Sequence, residues 1–174
     1  MWVFGYGSLM WDNWQNDFEC ERREKATLPG YRRDFNKSSV VNWGTGQSPC
    51  PTLGLAEDEA GECVGLAFQL PAKQADALQD YLSRREGASF TIEERDIRLD
   101  SGPVVTAVVP INDTTTHTYI GDRSIADRAT LVNAARGTSG ACIDYVEQIH
   151  AHLSHLGVED PAVEMFWRAV VGAD

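Results

Sequence analysis

Trp2-Val3-Phe4-Gly5-Tyr6-Gly7-Ser8-Leu9 follows Met1 at the start of the chain. Residues 2–5 read as a short apolar strand that stops at Gly5, and the glycine-punctuated run behind it reads as a turn. The turn has two readings. One is an ordinary strand-to-loop connection. The other is a set of successive backbone N–H groups aimed at one point, able to hold a carboxylate or a developing oxyanion. The run is not the G-x-S-x-G elbow of a serine nucleophile. It also lacks the third glycine of a dinucleotide-binding loop and the lysine of a Walker loop.

Working outward, the first two-thirds of the chain reads as strands and the last third as helices. Strand-like stretches at 21–28 and 31–41 flank Pro29-Gly30, a turn pair. A second pair, 53–57 and 62–70, is separated by Asp58-Glu59-Ala60-Gly61, and Val64, Leu66, Phe68 and Leu70 alternate as a half-buried strand does. A helix is expected over 72–84, with Ala75, Leu78 and Leu82 on one stripe. Phe90 and Ile92 share one parity and Ile97 and Leu99 the other, which predicts a bulge between them. Ser101-Gly102-Pro103 then turns into the apolar strand 104–111.

Three helices are expected to close the chain. Ser124 with Asp127 is a capping pattern, with Gly137 as the stop. Ile143, Val146, Ile149, Leu153 and Leu156 keep helical spacing up to Gly157. Asp160-Pro161 opens the last helix, whose apolar face is Val163, Phe166, Trp167 and Val170. The pattern implies a single α+β domain over residues 1–174, a mixed, curved sheet or small barrel with flanking helices.

The bulk composition narrows the function classes. The 43% apolar and 24% charged content is that of a globular protein. The 26 acidic and 15 basic residues, for a formal charge of −11, argue against nucleic acid or an anionic membrane as partner. Met1 leads directly into Trp2-Val3-Phe4 without a basic n-region, and no apolar run has the length of a membrane span, so a cytoplasmic protein is expected. Cys20, Cys50, Cys63 and Cys142 show no C-x-x-C spacing, and reduced, packed cysteines are the expectation.

The remaining candidates are histidines and one glutamate. His150, His152 and His155 share a predicted helix, but 150 and 152 point away from each other and no carboxylate ligand pattern accompanies them. They read as a solvated helix end, and no metal is expected. Glu86 stands in Tyr81-Leu82-Ser83-Arg84-Arg85-Glu86-Gly87, where a helix gives way to a strand. A carboxylate there can project into a cavity, although a lone glutamate is more often a surface residue.

Taken together, the blocks resemble the ChaC-type γ-glutamyl cyclotransferases. Tyr6-Gly7-Ser8-Leu9 is followed in order by Leu28-Pro29-Gly30-Tyr31-Arg32-Arg33, Gly65-Leu66-Ala67-Phe68, and Tyr81-Leu82 ahead of Arg85-Glu86. Tyr119-Ile120-Gly121, Ile125-Ala126, Ser139-Gly140 and Leu156-Gly157-Val158-Glu159-Asp160-Pro161 complete the set. The resemblance implies the γ-glutamyl cyclotransferase-like fold and cofactor-independent release of 5-oxoproline from a γ-glutamyl small molecule. In ChaC-type members that molecule is glutathione and the other product is cysteinylglycine. By position, Glu86 would be the general acid/base, and Tyr6, Gly7, Ser8 and Leu9 would bind the γ-glutamyl moiety. Tyr119 would line the pocket and Arg33 would meet a substrate carboxylate.

This reaction suits those residue types. The substrate's own α-amine attacks its γ-carbonyl, so no serine or cysteine nucleophile is needed, only a folded near-attack conformer and a proton carrier. A buried site would also raise the pKa of the carboxyl that carries the proton. The chain departs from the family pattern at Phe90, where many members have tyrosine, at Trp43 in a stretch that is usually more polar, and at Cys142, where asparagine is frequent. These positions motivate an alternative, the same reaction on another γ-glutamyl amine or peptide. A further alternative is a non-catalytic small-ligand-binding module on the same fold.

Overall fold

A computed structural model describes residues 1–172. The chain divides into two compact units, one of Met1–Arg32 with Glu57–Asp113, the other of Arg33–Ala56 with Thr114 onward. The strands are β1 (Trp2–Gly5), β2 (Arg22–Ser39), β3 (Cys50–Gln69), β4 (Phe90–Leu99) and β5 (Val104–Asn112), which close into a barrel in the order β1-β3-β2-β4-β5. β1 lies between β3, antiparallel to it, and β5, parallel to it. That position explains its sequence. A strand flanked on both edges and covered on both faces can be a continuous apolar run, and Val3 and Phe4 are both fully buried.

Two expected turns are absent. Pro29-Gly30 and Asp58–Gly61 lie inside the unbroken strands β2 and β3. Gly30 takes a φ of 78°, so the bend is absorbed within the strand. The expected bulge in β4 is also absent: its register with β5 runs evenly from Phe90↔Asn112 to Arg98↔Val104. The change of parity records two faces instead. Ile97 and Leu99 are buried, while Phe90 and Ile92 are half-buried on the opposite side of the same ladder. Gly65 of β3 is required by close packing, since a Cβ there would fall 2.8 Å from the Phe4 ring.

Helix α1 (Ala75–Glu86) buries Leu78 and Leu82 and ends at Gly87, whose φ is 70°. In the second unit, α2 (Ile125–Val132) starts at Ser124, whose hydroxyl accepts from Asp127 N at 3.1 Å. It stops well before Gly137, because Arg136–Gly137 pairs with Gly140–Ala141 as a small antiparallel ladder, β6 and β7. Helix α3 (Cys142–His155) buries Tyr145, Val146, Ile149 and Leu153, and α4 (Pro161–Val171) buries Val163, Phe166 and Val170. Phe166 stacks on Phe35, with ring centroids 4.0 Å apart. Among the described residues no helix is long and apolar enough to cross a membrane.

The cysteines depart from expectation. Cys50 and Cys142 form a disulfide across 92 residues of sequence, with Cα atoms 5.5 Å apart. They meet because they are the first residues of β3 and α3, a juxtaposition that no spacing rule encodes. Cys20 and Cys63 are thiols. Closing so long a loop removes much of the unfolded chain's freedom. Replacing both Cys50 and Cys142 by alanine is therefore expected to lower stability by about 2–4 kcal/mol. An unchanged urea midpoint in the double variant would contradict this.

Candidate active site

The loop that leaves β1 sets two accessible residues between buried anchors. Tyr6 is buried and its hydroxyl donates to Pro110 O at 2.9 Å. Leu9 and Met10 are buried beneath a single 3-10 turn over Ser8–Met10, closed by Met10 N to Gly7 O at 2.9 Å. Two side chains fix the turn from below: Trp14 Nε1 donates to Leu9 O at 2.8 Å and Arg23 Nη2 to Met10 O at 3.0 Å. Gly7 and Ser8 are left half-exposed. Of the four expected loop contacts, Tyr6 and Leu9 thus act as anchors, while Gly7 and Ser8 face outward.

Glu86 is the last residue of α1, with 18% of its side chain exposed. The helix delivers it next to the loop through its neighbour. Arg85 Nη2 donates to Ser8 Oγ at 2.8 Å, and Arg85 Nε lies 3.3 Å from Glu86 Oε1. The same guanidinium donates through Nη1 to Tyr81 Oη at 3.1 Å and forms a close ion pair with Asp12. Burial alone would lower the pKa of Arg85, but the Tyr81 hydroxyl and the Asp12 carboxylate outweigh it and the net shift is upward. Arg85 therefore stays a cation through the whole working pH range.

Tyr81 is held in turn by aromatic contacts. Its ring stacks on Trp14 with centroids 6.1 Å apart and meets Phe18 edge-on at 5.2 Å. Sequence reasoning singled out Glu86 and Ser8 but missed Arg85, Tyr81 and Asp12 as their connection. Tyr81 and Arg85 did carry a signal, since they stand four apart on one helical face. Asp12 carried none.

The other two expected contacts belong to the second unit. Arg33 is completely buried, and its Nη1 lies 2.8 Å from Asp160 Oδ2. That ion pair accounts for its charge without a ligand. Tyr119 is half-buried, bridges to Lys37, and lays its ring over Gly121, where a Cβ would fall 2.8 Å from Tyr119 Cε2. His150 Nε2 sits 2.8 Å from Glu164 Oε2 and its ring stacks on Trp167 at 5.4 Å. Among the described residues no group of three or more His, Cys, Asp or Glu is arranged to hold a metal ion.

A family model of ChaC-like proteins matches residues 1–172. The chain belongs to the ChaC-like family. This ChaC-like protein is 30% identical over 172 residues to gamma-glutamylcyclotransferase 2-3 of Arabidopsis thaliana, an alignment covering 94% of this chain and 84% of the relative. It is 31% identical over 162 residues to the glutathione-specific gamma-glutamylcyclotransferase of Escherichia coli, covering 92% of this chain and 68% of the relative. A crystal structure of a yeast γ-glutamyl cyclotransferase specific to glutathione superposes with a TM-score of 0.88 at 18% identity, over 99% of this chain and 96% of that one. The ChaC-like protein shares that α+β barrel fold with its flanking helices.

Proposed function

We propose that the protein is a cofactor-independent γ-glutamyl cyclotransferase acting on glutathione, which releases 5-oxoproline and leaves cysteinylglycine. The observation that carries this reading is the joining of the Ser8 hydroxyl and the Glu86 carboxylate on one guanidinium, that of Arg85. An accessible loop and a proton-carrying group thereby share one small region. Membership of the ChaC-like family and the names of its relatives support the same reaction.

In the mechanism, Gly7 and Ser8 hold the γ-glutamyl arm in a folded, near-attack conformer. The substrate α-amine arrives protonated and passes a proton to Glu86. The freed amine attacks the γ-carbonyl and closes a five-membered ring. Backbone donors of the loop steady the oxygen of the tetrahedral intermediate. Glu86 then returns the proton to the departing amide nitrogen, the C–N bond breaks, the ring nitrogen passes its second proton by way of Glu86 to the released amine, and the carboxylate is left ready for another cycle. The substrate supplies the nucleophile, so no step calls on a metal or an organic cofactor. The reading also places the enzyme in the cytoplasm. Full burial of Cys50 and Cys142 shields their bond from the thiols of that compartment.

The test is a panel of γ-glutamyl compounds assayed for 5-oxoproline with the purified protein alone. Glutathione is expected to be turned over with the highest kcat/KM. Preference for another γ-glutamyl amine would move the assignment to that substrate. Tight binding without 5-oxoproline from any member would replace the enzyme by a binding module.

A further inference from the structure

We propose that Arg85 is a positioning residue that locks the Ser8 loop and Glu86 into one register, with Asp12 as its counter-charge. The inference rests on the reading of the loop and Glu86 given above. A guanidinium carries five N–H donors in a rigid fork. Here Nε reaches Glu86 Oε1 at 3.3 Å, Nη1 reaches Tyr81 Oη at 3.1 Å, and Nη2 reaches Ser8 Oγ at 2.8 Å and pairs closely with Asp12. Four committed contacts leave little capacity for a substrate carboxylate, so Arg85 acts through its neighbours rather than on the reacting atoms.

The geometry links segments far apart in the chain. Ser8 and Asp12 bracket the turn after β1, and Asp12 N approaches Ser8 O at 3.4 Å. Tyr81, Arg85 and Glu86 belong to the last turns of α1. Arg85 therefore ties both ends of the turn to the residue that carries the proton. Its side chain is only 20% exposed, so solvent does not screen these contacts fully. A lysine at this position keeps the charge but presents a single point with no fork, and cannot span the same partners.

The experiment compares wild type with Arg85→Lys, Arg85→Ala, Asp12→Asn and Glu86→Gln, all assayed for 5-oxoproline from glutathione, with folding followed by circular dichroism. For Arg85→Lys, kcat is expected to fall by about 10²-fold while KM rises, because both the proton carrier and the holding loop lose position. A shrunken folded fraction alone would lower kcat and leave KM untouched. Asp12→Asn is expected to shift both parameters in the same direction, by about 10-fold in kcat, and to add nothing in the Arg85→Lys background.

Wild-type kcat and KM in Arg85→Lys would overturn the proposal, as would a kcat loss matched by the loss of folded protein at constant KM. If Arg85→Ala fails to fold, the Lys and Asn variants still decide. Inactive Glu86→Gln beside fully active Arg85→Lys would sink only the positioning role. Fully active Glu86→Gln would sink the underlying assignment of the proton carrier instead.

Discussion

Replacing Glu86 by glutamine is expected to reduce 5-oxoproline release by about 10³-fold, the middle of the range for a lost general acid/base. The substitution is close to isosteric, and the glutamine carbonyl still accepts from Arg85 Nε, which lies 3.3 Å from the carboxylate now. Glu86 also ends α1 against Gly87, and the buried face of the helix, Leu78 and Leu82, does not include it. The unfolding midpoint should thus stay within a few degrees of wild type. What is removed is the ability to take a proton from the α-amine and to return one to the leaving nitrogen. A glutamine variant retaining a tenth or more of wild-type kcat would assign the proton transfer to another group.

The second large effect concerns stability. Asp160→Ala is expected to destabilise the protein by about 4 kcal/mol, read as a fall in the urea midpoint. Asp160 serves two purposes with its two oxygens. Oδ1 caps α4, accepting from Ala162 N and Val163 N, both at 3.1 Å. Oδ2 meets Arg33 Nη1 at 2.8 Å, and that arginine is completely buried. Alanine removes the cap, typically about 1 kcal/mol, and also takes the carboxylate away from a guanidinium that cannot reach bulk water. Asp160→Asn keeps a capping oxygen and should lose only the ion-pair share, roughly 2–3 kcal/mol. Equal losses for the two variants would show that the cap contributes nothing beyond the ion pair.

The Asp160 geometry shows why Arg33 reads differently in sequence and in space. As a basic residue in a family block it was a natural partner for a substrate carboxylate. The chain supplies that carboxylate itself, from Asp160. The adjacent residue behaves alike: Asp34 Oδ1 lies 2.7 Å from Nη1 of the mostly buried Arg128. Two successive β2 residues thus satisfy buried charges internally, and neither pairing leaves a trace in local sequence.

The local signals were accurate where the chemistry was local. Asp160-Pro161 began α4, Ser124 capped α2, Gly157 ended α3, and the alternation of Val64, Leu66, Phe68 and Leu70 marked a strand. Each depends on a few neighbouring residues, so a one-dimensional reading captures it. The signals misled at Pro29-Gly30 and Asp58–Gly61, where turn-forming residues were carried through long strands. Pairing energy on both edges of a barrel strand can outweigh a local turn preference.

By itself the sequence determined the α+β class and the family, and it singled out the Tyr6–Leu9 loop and Glu86 as the candidates on which the proposed function rests. Only the tertiary structure decided which loop residues are anchors and which face outward. It alone brought Cys50 to Cys142, Arg33 to Asp160, and Ser8 to Glu86 through Arg85. The reason is range. Helix caps and strand alternation are settled within a turn or a pleat, whereas the meeting of Ser8 with Arg85, 77 residues apart, is settled by how the barrel closes.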